Sequence, residues 1–275
     1  MKRVLITLLA LIFGFAAFAQ TTAEEFNEKY TRLAARLGYA GVGIETYLDK
    51  WEAAYPDDGR LLEARCNYCL AKGMTTHAVP KDRAKYLGNK PILSVPDSTG
   101  KKINYFEETV YDDEFFGQAM TWLDKAVELY PLDLVYRADK ITCFLSYEKE
   151  SPDMAVAEME KLVEMEKKSH PAWVVYGEPT VEGDFSELMS GYCLRLWNIA
   201  TPPAYEAFFK LSTKLSKLYP KNSNYLDNIG SYWLVAKDNP KKATTYYKKA
   251  LKLNPSDEVA TANLKLIERR KASKK

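Results

Sequence analysis

Residues 223–255, SNYLDNIGSYWLVAKDNPKKATTYYKKALKLNP, constrain the fold of this chain more than any other stretch. Leu226, Ile229, Gly230 and Trp233 recur at helical spacing. After the turn Asp238-Asn239-Pro240, Ala243, Tyr247, Ala250 and Leu251 do the same. Two short helices, each with an apolar stripe, must cover those stripes against one another and against further helices. Gly230, Ala243 and Ala250 stand where two axes have to approach, and Trp233 and Tyr247 fill the gaps beside them. Pro255 closes the unit, because proline lacks an N–H and restricts the residue before it.

The same punctuation returns along the chain. Ala54-Tyr55-Pro56, Leu129-Tyr130-Pro131, Leu218-Tyr219-Pro220 and Leu253-Asn254-Pro255 each end an amphipathic helix and lead into another. Aligned on these prolines, Leu62, Cys66 and Cys69 fall in register with Arg137, Ile141 and Phe144, and with Leu226, Gly230 and Trp233; Arg137 is the polar exception. Upstream, Ile44, Leu48 and Trp51 match Ala119, Leu123 and Ala126, and Ala243, Tyr247 and Ala250. The pattern predicts helices over 23–37, 42–55, 59–72, 114–130, 134–147, 152–168, 185–200 and 203–219, then the pair in 223–254. A last helix, 256–272, has Ser256 as its N-cap.

This alternation of small, large and small residues with a terminal proline resembles the tetratricopeptide repeat, whose period is about 34 residues. The last two prolines are 35 residues apart; the first two are 75 apart, one repeat plus an insertion of about 41. The likeness covers most of residues 20–275, read as one domain, and is closest in 223–255 and 117–131. It implies an all-α, right-handed α-solenoid of stacked helix pairs, with 256–272 as the cap that ends the stack. It also implies a concave groove lined by the first helix of each pair, which carries an extended peptide or a partner helix. The groove-facing residues by resemblance are Arg60, Glu63, Asn67, Thr142, Asn224, Asp227, Asn228 and Ser231. Their mixed sign does not match the Lys- and Asn-rich arrangement with which some members hold a C-terminal carboxylate.

Two segments do not follow the repeat. Residues 74–113 interrupt one pair between its helices; within them Pro91–Val95 and Lys102–Phe106 are β-rich runs flanking Pro96-Asp97-Ser98-Thr99-Gly100, which predicts a β-hairpin. Residues 169–184 join one pair to the next and carry Trp173, Tyr176 and the turn residues Gly177 and Gly183. Long irregular segments in a repeat array carry function or plug an imperfect stack. These two emerge at opposite ends of the helices, so they share a ligand only if one folds across the groove. Tyr105, Phe106, Tyr111, Trp173 and Tyr176 are candidate platforms for a partner or for a glycan, with core packing as the plainer role.

The N-terminus sets an address. Lys2 and Arg3, an apolar run from Val4 to Phe18 and the small-x-small site Ala17-Phe18-Ala19 read as a signal peptide over 1–19. The run is short for a membrane span, no Cys follows until Cys66, and an exported, periplasmic or secreted chain is expected. Removing 1–19 takes Lys2 and Arg3 from a formal charge of +2 and leaves acid and base balanced, which argues against nucleic acid as a partner. Cys66-x-x-Cys69 lies inside a predicted helix, where thiols are buried and structural. Cys143 and Cys193 occupy equivalent slots about 8–10 Å apart by helix packing, too far to bridge, so four free thiols are expected. His77 and His170 lack metal-ligand spacing, and no catalytic motif is present, so no metal, no cofactor and no enzyme are expected.

These features point to an exported protein-binding or scaffolding module that holds a peptide or partner protein in its groove. The alternatives are a periplasmic glycan- or small-ligand-binding protein or enzyme built from the two insertions, and a purely structural spacer.

Overall fold

The computed structural model describes residues 21–273, and the expected leader at 1–19 lies outside them. Eleven α-helices run through the described residues: α1 (Ala23–Leu37), α2 (Ile44–Ala54), α3 (Gly59–Gly73), α4 (Asp113–Leu129), α5 (Leu134–Glu148), α6 (Asp153–Ser169), α7 (Asp184–Ile199), α8 (Pro202–Leu218), α9 (Ser223–Val235), α10 (Pro240–Leu253) and α11 (Glu258–Ala272). They stack as tetratricopeptide-like pairs, α1 with α2, α3 with α4, α5 with α6, α7 with α8 and α9 with α10, and α11 lies on α10.

The proline marks work together with the residue two places beyond each. Asp58, Asp133, Asn222 and Asp257 accept the backbone N–H of Arg60 (3.0 Å), Val135 (3.0 Å), Asn224 (3.0 Å) and Ala260 (3.1 Å). Proline stops one helix, and the side-chain oxygen then satisfies a donor that the next helix leaves free, at about 1 kcal/mol per cap. The last helix is therefore capped by Asp257 and not by Ser256, whose hydroxyl donates to Asn254 (2.9 Å). The stronger carboxylate acceptor takes the N-cap position.

Within the pairs, the small residues meet large partners as their spacing requires. A Cβ at Gly230 would lie 2.8 Å from the ring of Tyr247, which is fully buried with Ala243 and Ala250. Ile44, Leu48 and Trp51 are likewise fully buried in a core shared by α1, α2, α3 and α4. A second core runs from α5 to α9 and a third joins α9, α10 and α11, so burial passes from pair to pair along the stack. Cys66, Cys69 and Cys193 are buried, Cys143 is half-buried, and all four thiols are free.

The first insertion holds the predicted hairpin and one strand more. β1 (Met74–Lys81), β2 (Leu93–Pro96) and β3 (Lys102–Tyr111) form an antiparallel sheet in the order β1-β3-β2. Asp97 Oδ1 closes the β2–β3 turn by accepting from the N–H of Thr99 (2.8 Å) and Lys101 (2.9 Å), and Gly100 takes φ +81°. β1, with its run Met-Thr-Thr-His-Ala-Val-Pro-Lys, lacks a period-2 apolar pattern, so nothing local marks it as a strand. It pairs with β3 over its whole length, Met74 facing Tyr111 and Lys81 facing Asn104. The ladder simply prolongs the α3–α4 pair, closed at its base by Asp112 N–H to Gly73 O (2.9 Å). A Cβ at Gly73 would sit 2.6 Å from Cβ of Phe115, so this close approach requires glycine.

In the second insertion, β4 (Val174–Val175) and β5 (Glu178–Pro179) form a two-residue hairpin. Tyr176 (φ +51°) and Gly177 (φ +82°) both lie in the left-handed region, as such tight turns demand. Val174 N–H donates to Leu132 O (3.0 Å) and Gly177 N–H to Asp133 Oδ2 (3.1 Å), which pins the hairpin beside the start of α5.

Candidate functional site

Successive first helices α1, α3, α5 and α7 present polar side chains to a run of clefts. One cleft, about 420 Å³, lies between α1 and α3 and is lined by Asn27, Tyr30, Arg60, Glu63 and Asn67. The next, about 190 Å³, lies between α3 and α5 and shares Glu63 and Asn67 with the first. Asp139, Thr142, Cys143 and Ser146 supply its α5 wall, at i, i+3, i+4 and i+7 on one helix face. A third, about 580 Å³, shares Ser146 and Tyr111 with the second and opens between β3, the segment leading to β2, α5 and α7.

Four of the residues expected from resemblance thus come together: Arg60, Glu63 and Asn67 on α3, and Thr142 on α5. The second insertion meets two of them at the N-terminal end of α3. The Tyr176 hydroxyl donates to Glu63 Oε1 (3.2 Å), and the Arg60 guanidinium stands 3.4 Å over the Tyr176 ring. The first insertion closes on the opposite ends of α5 and α7, so the two insertions flank the cleft run from either side.

The electrostatics of the cleft floor centre on Asp139. Burial, with Glu63 and Asp133 nearby, pushes its pKa up to about 7, and none of the hydrogen bonds or ion pairs among the described residues engages it. Glu63 is also raised, chiefly by burial, with Tyr176 and Arg60 pulling the other way. At the far end, Glu108 accepts from Tyr86 and pairs with Lys81 (3.3 Å) and Lys149 (3.4 Å). Burial alone would raise Glu108, but these three partners overcome it and hold the pKa low. Arg195 Nη1 donates to Thr142 Oγ1 (3.0 Å), tying α7 to α5 across the cleft.

Several expected site residues lie elsewhere. Phe106 is 1% exposed and packs on Tyr86 with ring centroids 5.7 Å apart, so it is the core of the first insertion. Trp173, 4% exposed, stacks on Phe185 (5.5 Å) and donates its indole N–H to Glu166 Oε2 (2.8 Å). A large ring on a short insertion is the cheapest way to bury apolar area there, and that role takes both side chains out of reach of a ligand. Tyr105 is half-buried on β3 and Tyr176 is engaged by α3. On α9, Asp227 is buried toward α11, Ser231 is hydrogen-bonded to Tyr247 (3.1 Å), and neither they nor Asn224 and Asn228 line a cleft. Of that α9 face only Asp227 is buried, while Asn224 stays exposed and Asn228 and Ser231 are half-buried.

Asp139, Ser146, Lys149, Arg195 and Asn198 line the clefts without having been expected there. The spacing from Asp139 to Ser146 is legible as a polar helix face; the part played by α7 is not, because its neighbour across the cleft is set by the stack. Among the described residues no group of three or more His, Cys, Asp or Glu side chains could hold a metal ion, and no helix is long and apolar enough to cross a membrane.

No protein-family model matches this chain, and no curated protein does. Among solved structures, YrrB, a TPR protein with an unusual peptide-binding site, overlaps at a TM-score of 0.42 and 12% identity, over 89% of this chain and 93% of its own. MamA from Desulfovibrio magneticus RS-1 overlaps at 0.41 and 14% identity, over 87% of this chain and 99% of its own. At this level of overlap nothing about ligand or activity transfers to this chain.

Proposed function

We propose that this chain is an exported binding module that holds a segment of a partner protein across the clefts of α3, α5 and α7. The observation that carries the reading is the unengaged Asp139, set with Glu63, Asn67, Thr142 and Ser146 between two successive first helices. An acid left without a partner on the floor of a cleft lined by further polar side chains, with folded insertions on both flanks, suits an extended segment that brings its own hydrogen bonds. Export rests on the leader pattern of residues 1–19. The glycan or small-ligand alternative is weakened by the burial of Phe106 and Trp173, two of the aromatic platforms it needs.

The test places a photo-crosslinking amino acid at Asn67, at Thr142 and, as control, at the exposed Lys248 of α10. The expected result is a discrete protein adduct from positions 67 and 142 in cells expressing the full chain, and none from 248. Equal adducts from all three positions, or none from the cleft, would overturn the reading. N-terminal sequencing of the protein recovered from cells is expected to begin at Gln20, and a retained Met1 would overturn export.

A further inference from the structure

The central strand of the sheet is only half covered. β1 pairs with β3 from Asn104 to Tyr111, whereas β2 pairs only with Lys102 to Tyr105 on the other side. From Phe106 onward that second edge has no neighbouring strand among the described residues. The chain entering β2 turns away at Leu87–Ile92, and the space it leaves is the 580 Å³ cavity walled by α5 and α7.

The backbone groups on that edge are identifiable. Tyr105 O accepts from Ile92 N–H (2.8 Å), so the Tyr105 amide plane faces β2. In an antiparallel ladder every second residue turns its N–H and C=O to the same side, and the β1–β3 register is unbroken through Tyr111. Glu107 and Thr109 therefore aim their N–H and C=O groups at the cavity. Among the described residues no backbone hydrogen bond outside the ladders engages either one. Two donors and two acceptors, spaced for a strand, stand open beside a cavity with apolar walls of Leu87, Ile92, Leu145 and Ile199.

The cavity also carries a charge preference. Glu108 is already neutralised by Lys81 and Lys149, while Lys90 and Arg195 line the cavity without an acidic partner among the ion pairs of the described residues. Glu107, on the exposed rim, is the one lining acid that those ion pairs leave without a cation.

We propose that an extended segment of the partner adds to the open edge of β3, in line with β2, pairing with the Glu107 and Thr109 backbone. The segment alternates apolar residues toward Leu87, Ile92, Leu145 and Ile199 with an Asp or Glu toward Lys90 and Arg195. This deepens the binding reading above and rests on it. Strand addition supplies affinity from the main chain and leaves selectivity to the alternate side chains, so the sheet is the recognition element and the helices are its platform.

The experiment selects a phage-displayed random octapeptide library on the full mature chain and on a Lys90→Glu/Arg195→Glu variant whose helicity is first checked by circular dichroism. Wild type is expected to enrich β-branched peptides bearing Asp or Glu, and the variant to enrich Lys or Arg at the same position. A selected peptide should slow amide exchange at Glu107 and Thr109, and N-methylation at its alternate amides should weaken binding about tenfold or more, as loss of two main-chain hydrogen bonds predicts. Peptides that bind without protecting Glu107 and Thr109, the same peptides from both proteins, or no enrichment at all would each overturn strand addition. Crosslinks from Asn67 and Thr142 in the earlier test stand or fall separately, so failure of this proposal is distinguishable from failure of the binding reading.

Discussion

Replacing Asp227 by Asn is expected to abolish most of a pH dependence built into the last repeat. Asp227 is 4% exposed, and neither carboxyl oxygen receives a hydrogen bond from a donor among the described residues. Burial, and after it the neighbouring Asp257, pushes its pKa from 3.8 up to about 8. It is therefore a neutral acid at pH 7 that donates to Asp257. Asp257 is itself the cap of α11 and also accepts from Ser223 Oγ (2.8 Å). Burial works to raise Asp257, but the Ala260 N–H, Ser223 and Asp227 outweigh it and keep it ionised. Among the described residues no cation faces either carboxylate, and the other titratable group facing Asp227 is the buried Tyr247.

The sign follows from linkage. The folded-state pKa of Asp227 lies above its unfolded value, so its contribution is complete below about pH 4 and is lost as pH rises to about 8. Each pH unit in that window costs about 1.4 kcal/mol, or on the order of 5 kcal/mol across it. The amide introduced by Asp227→Asn keeps an N–H donor toward Asp257 and cannot ionise. Urea unfolding of wild type and Asp227→Asn, followed by circular dichroism and by tryptophan fluorescence, measures the difference at about pH 5, 7 and 9. The variant should gain on wild type by several kcal/mol between the ends of that range. Taking the difference removes the contributions of Asp139 and Glu63, which titrate alike in both proteins. A difference that stays flat with pH would refute the reasoning.

Other substitutions test the packing and the corrections. Gly230→Ala drives a methyl to within 2.8 Å of the Tyr247 ring and should cost about 1–3 kcal/mol of stability in thermal or urea melts. Trp173→Phe removes the indole donor to the buried Glu166, so stability should fall by about 1–3 kcal/mol while the crosslinks from Asn67 and Thr142 persist; lost crosslinks would return Trp173 to the site. Alkylation of the native protein, read by mass spectrometry, should modify half-buried Cys143 well before Cys66 and Cys193. The Cys143 neighbour and burial push the Cys66 thiol well up, and burial pushes Cys193 up to about 12, so early labelling of either would contradict the packing.

Much of the helical frame is legible because it is local. Helical periodicity marks an element that must hide a stripe, and proline followed by a capping side chain marks where one helix stops and the next begins. α1 and α3 begin at the residues that this reading predicts, and Gly230 meets Tyr247 as the small-residue pattern requires. The β2–β3 turn is equally legible, since Asp97 and Gly100 carry its hydrogen bonds and its positive φ within a few residues.

What the tertiary structure alone decided is every pairing between residues distant in the chain. β1 has no strand pattern of its own and becomes a strand because α3 and α4 hold its start beside the end of β3. Tyr176 reaches Glu63 across 113 positions of sequence because a hairpin pinned by Asp133 leans over the N-terminal end of α3. Phe106, Trp173 and Asp227 left the candidate site for the same reason: a side chain's type shows what it could bind, and its neighbours settle whether it is exposed. Sequence alone determined which segments are helices and which faces they must bury. Stacking decided which polar groups remained unengaged, because burial and hydrogen bonding depend on distances that only the assembled pairs bring about.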